Sequence, residues 1–200
     1  MPPEEGAALY EAGLEAGRSG LGPLLEIGTY CGKSAVYLGA AAREAGALLF
    51  SVDHHRGSEE LQPGWPDHDP EVVDPVSGRT DTLPWARRAL AEAGLEPCVV
   101  LVVGESSRVA EFWPGQLSLL FIDGGHGAAA ARADFSAWVP KVAKEGLLAV
   151  HDVFSDPAEG GQVPYDLYRE VLAGDDFVEA RRVGSLRVAR RRLAGRRPPT

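Results

Sequence analysis

The chain has 200 residues, 44% of them hydrophobic and 24% charged, a balance that predicts one soluble globular domain and excludes a disordered chain. No apolar run reaches the roughly 18 residues a membrane helix needs, and the start Met1-Pro2-Pro3-Glu4-Glu5 lacks the positive and apolar segments of a signal peptide. With only Cys31 and Cys98 there is no disulfide scaffold, so a cytoplasmic protein without a membrane partner is expected. The net charge of −9 is uneven: residues 181–200 hold eight arginines and no acid, leaving 12 basic against 29 acidic groups, net −17, on residues 1–180. An acidic body repels phosphate, which argues against a nucleic-acid surface on the main fold, so no nucleic-acid partner is expected. The Arg-rich end, residues 190–200, reads as a disordered tail.

Residues 4–18 open the chain as a helix. Residues 24–28 read as a strand, 33–44 as a helix, 48–53 as a second strand and 82–93 as a helix closed by Gly94. A third strand covers residues 98–103, followed by a short helix from Ser107. The fourth strand covers 117–123, and the helix over 128–139 is stopped by Pro140. Residues 146–153 form a fifth strand and 165–173 a helix. Residues 177–183 and 186–189 then flank Gly184-Ser185 as a closing hairpin. Near-continuous apolar strands alternating with helices predict a doubly wound α/β domain over residues 1–189, its mostly parallel sheet covered on both faces.

Residues 54–81 break this rhythm with Pro63, Pro66, Pro70 and Pro75, several glycines and Trp65. A connection this long inside a compact domain reads as a lid-like insertion. All five histidines (54, 55, 68, 126 and 151) fall in or beside segments that follow strands two, four and five, and Asp53, Asp123 and Asp152 sit at the same strand ends. Ligands of open parallel sheets bind at those ends, so this rim is the expected active site. A plainer role as strand-end caps stays open.

The first strand runs into Glu26-Ile27-Gly28-Thr29-Tyr30-Cys31-Gly32-Lys33-Ser34. Two glycines four apart at a strand-to-helix turn let a ligand approach the backbone closely, although neither the P-loop pattern nor Gly-x-Gly-x-x-Gly is present. Asp53 ends the next strand, where an acid can accept both hydroxyls of an adenosine ribose.

Together these residues resemble the nucleotide loop of class I S-adenosylmethionine-dependent methyltransferases, and in particular the catechol O-methyltransferase-like, small-molecule O-methyltransferase branch. The resemblance covers roughly residues 20–155 and implies a Rossmann-like, seven-stranded, mostly parallel sheet with a C-terminal antiparallel hairpin. It implies that Glu26, Gly28, Tyr30 and Gly32 shape the cofactor pocket, that Ser34 binds the methionine carboxylate and that Asp53 holds the ribose. His54 and Asp123 would line the cofactor, and Glu105 and Ser106, after Gly104, would meet the adenine edge. In metal-dependent members an Asp at the fourth strand end joins an Asp-Asp or Asp-Asn pair at the fifth. Here His151 takes the first place of that pair, so Asp123, His151 and Asp152 would form a two-carboxylate, one-imidazole site for magnesium, manganese, iron or zinc, the last three suiting its donors better. The alternative is no metal, with His126 or His151 as general base.

The expected function is methyl transfer from S-adenosylmethionine to a hydroxyl oxygen of a small-molecule acceptor. A non-catalytic cofactor-binding protein and a metal-dependent hydrolase are the alternatives on the same fold. A homodimer built on the N-terminal helix or the Trp-bearing helices is also open.

Overall fold

β1, Leu24–Ile27, sits at the centre of the sheet with all four residues buried. Successive side chains on a strand face opposite ways, so Leu24 joins the core on one side while Leu25 and Ile27 join the core on the other. These features come from a computed structural model that describes residues 1–58, 61–62, 64–65, 68–125 and 127–193.

The remaining strands are β2 (Leu49–Asp53), β3 (Val99–Val103), β4 (Leu117–Ile122), β5 (Val142–Val150), β6 (Phe177–Val183) and β7 (Leu186–Arg191). Their order across the sheet is β3-β2-β1-β4-β5-β7-β6. β1 to β5 pair in parallel, and β7 is antiparallel to both β5 and β6. The Rossmann-like α/β sheet with a C-terminal antiparallel hairpin is therefore present as the sequence implied.

Helices α1 (Pro3–Ser19), α2 (Lys33–Ala45) and α3 (Leu83–Glu92) cover one face, contributing Leu9, Leu38 and Leu90 to its core. Helices α4 (Ser106–Glu111), α5 (Ala128–Trp138) and α6 (Val163–Ala173) cover the other with Ala110, Trp138 and Leu167. Among the described residues no helix is long and apolar enough to cross a membrane.

Several boundaries differ from the sequence reading. β5 stops at Val150, not at residue 153, and α6 starts at Val163, not at residue 165. Two further differences have a clear cause. β5 begins at Val142, not at residue 146: Val142 pairs with Leu117 and Leu147 with Leu119, and Glu145 absorbs the extra residues at φ +66°. The polar Lys144-Glu145 pair hides this irregular strand start from any periodicity. β7 runs on to Arg191, so Arg190 and Arg191 belong to the sheet and not to a tail. Their guanidiniums donate to the carbonyl oxygens of Glu145, at 3.0 Å, and of Val142, at 2.6 Å. Of the rest of the expected tail, the Arg192 amide donates to the Asp176 carbonyl at 2.7 Å, and residues 194–200 lie outside the described residues.

The chain builds outward from β1 to β3, then returns to the opposite side of β1 to build β4 and β5. At such a reversal the connections leaving two neighbouring strands diverge and open a crevice at the carboxyl ends. The candidate site lies there.

Candidate functional site

A cavity of about 870 Å³ opens over the carboxyl ends of β1, β2, β3 and β4, a size typical of small-ligand sites. Its floor is the turn after β1. Gly28 stands at φ +92°, and a Cβ there would lie 2.1 Å from the carbonyl oxygen of Asp123. Only glycine allows the β1 and β4 turns to touch in this way. Gly32, also at φ +92°, caps the start of α2, whose first residues Lys33 and Ser34 line the cavity.

Asp53, the last residue of β2, is aimed by its neighbours. Its Oδ2 accepts from the Tyr30 amide and its Oδ1 from the His55 amide, each at 2.8 Å. Tyr30 and His55 achieve this with φ of +47° and +57°, and Asp152 at the same rim has +56°. Non-glycine residues in this region carry backbone strain that tends to gather at functional sites.

Glu26 lies beneath the turn, fully buried. It accepts from the Ser51 hydroxyl at 2.5 Å. Burial pushes its pKa up to about 8, against the opposing hydrogen bonds from Ser51 and Ser34. Farther along the rim, the Ser106 hydroxyl donates to Asp134 of α5, and burial also raises the pKa of that carboxyl.

At the ends of β4 and β5, ligand atoms of Asp123, His151 and Asp152 all fall within 4.8 Å of one another. His151 Nδ1 is 3.1 Å from Asp123 Oδ1 and 3.1 Å from Asp152 Oδ1. The ring is buried and forms an ion pair with each of the two carboxylates. His151 Nε2 is 2.7 Å from Glu5 Oε2 of α1. Burial opposes a charge on this ring, but the facing Asp123 and Asp152 carboxylates outweigh it and raise its pKa to about 10.

The rim predicted from the sequence thus comes together. Gly28, Tyr30, Ser34, Asp53, His54, Glu105, Ser106, Asp123 and Asp152 all line the cavity. Glu26 and Gly32 support it from below without being among its lining residues. His151 is 7% exposed and faces Asp123 and Asp152 from behind the rim. His126 lies outside the described residues. In the insertion, Gly57, Ser58 and Leu61 reach the cavity, whereas His55 turns away to bond Thr82 Oγ1 at 2.8 Å. Sequence reasoning missed Asp134 and Glu5. The one signal for Asp134 was its place on the apolar side of α5, while Glu5 looked like an ordinary first-turn acid favoured by the helix dipole.

Residues 25–153 match the family described as methyltransferase domain. The chain belongs to that family. It is a class I, S-adenosylmethionine-dependent methyltransferase, as the Glu26-to-Ser34 turn and Asp53 implied. Solved structures of similar fold include the O-methyltransferase TomG from Streptomyces achromogenes in complex with SAM, at 17% identity and TM-score 0.65, over 96% of this chain and 82% of that one. An O-methyltransferase from Bacillus cereus in complex with SAH aligns at 18% identity and TM-score 0.66, over 96% and 82% of the two chains. Cofactor-bound Rv0187 from MTB aligns at 20% identity and TM-score 0.66, over 96% and 81%. At these identities the likeness is one of fold. In the methyltransferase described here, the matched segment holds every strand end that forms the crevice, from β1 to β5.

Proposed function

We propose that this methyltransferase transfers the methyl group of S-adenosylmethionine to a hydroxyl oxygen of a small molecule, and that a divalent cation at Asp123, His151 and Asp152 assists. The observation that carries the cofactor's placement is Asp53, whose two oxygens are oriented by backbone amides at the cavity wall. A carboxylate oxygen has more than one lone pair, so both can still accept from the two ribose hydroxyls. Ser34 and the first turn of α2 suit the methionine carboxylate, since helix starts favour anions. Ser106, with Asp134 behind it, suits the adenine edge.

When bound, S-adenosylmethionine supplies a methyl group already electrophilic on its sulfonium sulfur. What remains for the chain is to align an acceptor oxygen, exclude water and dispose of a proton. Alignment alone contributes up to about 7–11 kcal/mol in favourable cases. The insertion over residues 54–81 would close over the acceptor, since Gly57, Ser58 and Leu61 already reach the cavity.

The donor set fits a cation. His151 Nδ1 and a carboxylate oxygen of each acid lie together, and the 3.1 Å separations resemble the roughly 3 Å between adjacent ligands of an ion with bonds of about 2.1 Å. Such a cation would supply Lewis-acid activation of the acceptor hydroxyl. Direct proton removal by His126 is the metal-free alternative.

Incubation with methyl-labelled S-adenosylmethionine and a panel of phenols and sugar alcohols, with and without chelator, tests the reading. Labelled methyl ethers whose formation chelator abolishes are expected. Label appearing only on nitrogen or sulfur acceptors would overturn the oxygen assignment, and full turnover in chelator would leave the His126 alternative.

A further inference from the structure

Glu5 is an acid in the first turn of a surface helix, yet it is only 3% exposed. Removing a carboxylate from water is costly unless it is fully partnered, and this one is. Its Oε1 accepts from the Ser185 amide at 2.5 Å and the Ser185 hydroxyl at 3.0 Å, in the turn between β6 and β7. Its Oε2 faces His151 Nε2 at 2.7 Å. The turn leaves room for it: a Cβ on Gly184, which stands at φ +52°, would lie 2.2 Å from Glu5 Oε1. Three elements distant in sequence, α1, the β6–β7 turn and the end of β5, thus converge on one carboxylate.

We propose that Glu5 is a positioning residue for the cation site, holding a proton on His151 Nε2 and so aiming Nδ1 at the space between Asp123 and Asp152, where a cation would take the place of the Nδ1 proton. This rests on the reading of those three residues as cation ligands. A ring nitrogen 2.7 Å from a carboxylate oxygen must donate, so Nδ1 is the nitrogen left for a cation, which would displace the second proton that the ring carries without one. That nitrogen is buried, 3.1 Å from Asp123 Oδ1 and 3.1 Å from Asp152 Oδ1. Carboxylates behind metal-bound histidines orient the ring and strengthen it as a ligand, and their loss typically costs about 10–100-fold in metal affinity.

The test is titration of the full chain with Mn²⁺, read by the electron paramagnetic resonance of the free ion, with S-adenosylhomocysteine affinity measured in parallel. Glu5→Gln keeps the size and an acceptor for the Ser185 amide but removes the charge that holds the proton on Nε2. It should weaken Mn²⁺ by about 10–100-fold and leave S-adenosylhomocysteine affinity unchanged. Equal Mn²⁺ affinity in wild type and variant would overturn the role of Glu5 while sparing the cation reading. Wild type that binds S-adenosylhomocysteine but no Mn²⁺ would overturn both. Should the variant fail to fold, nitrogen-15 spectra of the Zn²⁺-loaded wild-type chain decide: a proton on Nε2 and metal on Nδ1 are expected, and the reverse tautomer contradicts the proposal.

Discussion

The Tyr30 amide, in the turn after β1, donates to the Asp53 carboxylate at the end of β2, 2.8 Å away. This bond ties together two strand ends that line the cavity, and with the His55 amide it fixes the direction in which Asp53 accepts.

Asp53→Ala should therefore weaken S-adenosylmethionine and S-adenosylhomocysteine together. The loss of hydrogen bonds to a charged acceptor is worth about 1.5–3 kcal/mol, which corresponds to roughly 10–150-fold in affinity by calorimetric titration. Unchanged affinity would remove Asp53 from ribose recognition.

Gly28→Ala should be far more damaging than a glycine-to-alanine change in an ordinary turn. The new Cβ would meet the Asp123 carbonyl oxygen at 2.1 Å, and φ is +92°. Both the clash and the backbone strain disfavour the native turn, so a loss of several kcal/mol is expected. Chemical denaturation of the variant checks this, and a near-normal midpoint would contradict the geometry.

Glu26 makes a pH-dependent contribution. Burial raises its pKa to about 8 from the ordinary 4.5, so the folded chain holds more protons than the unfolded chain between those values. Its effect on stability is then most favourable below about pH 4.5, declines as pH rises, and levels off above about 8. Glu26→Gln should flatten that decline and be relatively more stable at pH 8.5 than at pH 5, as read from urea midpoints. A parallel pH profile for both proteins would show that Glu26 does not bind the extra proton.

Removal of divalent cations should abolish turnover, and Asp152→Ala should mimic it while leaving S-adenosylhomocysteine bound. The reason is that Asp152 sits with Asp123 and His151 and not with Asp53, the acid proposed to hold the ribose. Retained activity in the variant would argue against a cation.

Much of this architecture was legible because it is written in local pattern. Near-continuous apolar segments, broken only by Glu26 and Ser118, marked β1 and β4, and the turn from Gly28 to Ser34 with Asp53 marked the cavity wall. Three things were not local. The start of β5 depends on a register shift against β4 that only pairing reveals. His54 and His55 are adjacent, yet one lines the cavity and the other bonds Thr82, a division made by the positive φ of His55. Glu5 meets Ser185 across 180 residues, and nothing in a helix's first turn announces a partner so far along the chain.

The most direct test of the central claim is calorimetric titration of the wild-type chain with S-adenosylhomocysteine. Saturable one-to-one binding, lost or sharply weakened in Asp53→Ala, is the predicted result. No measurable heat or competition with S-adenosylmethionine at millimolar ligand would contradict the placement of the cofactor in the cavity between β1 and β4.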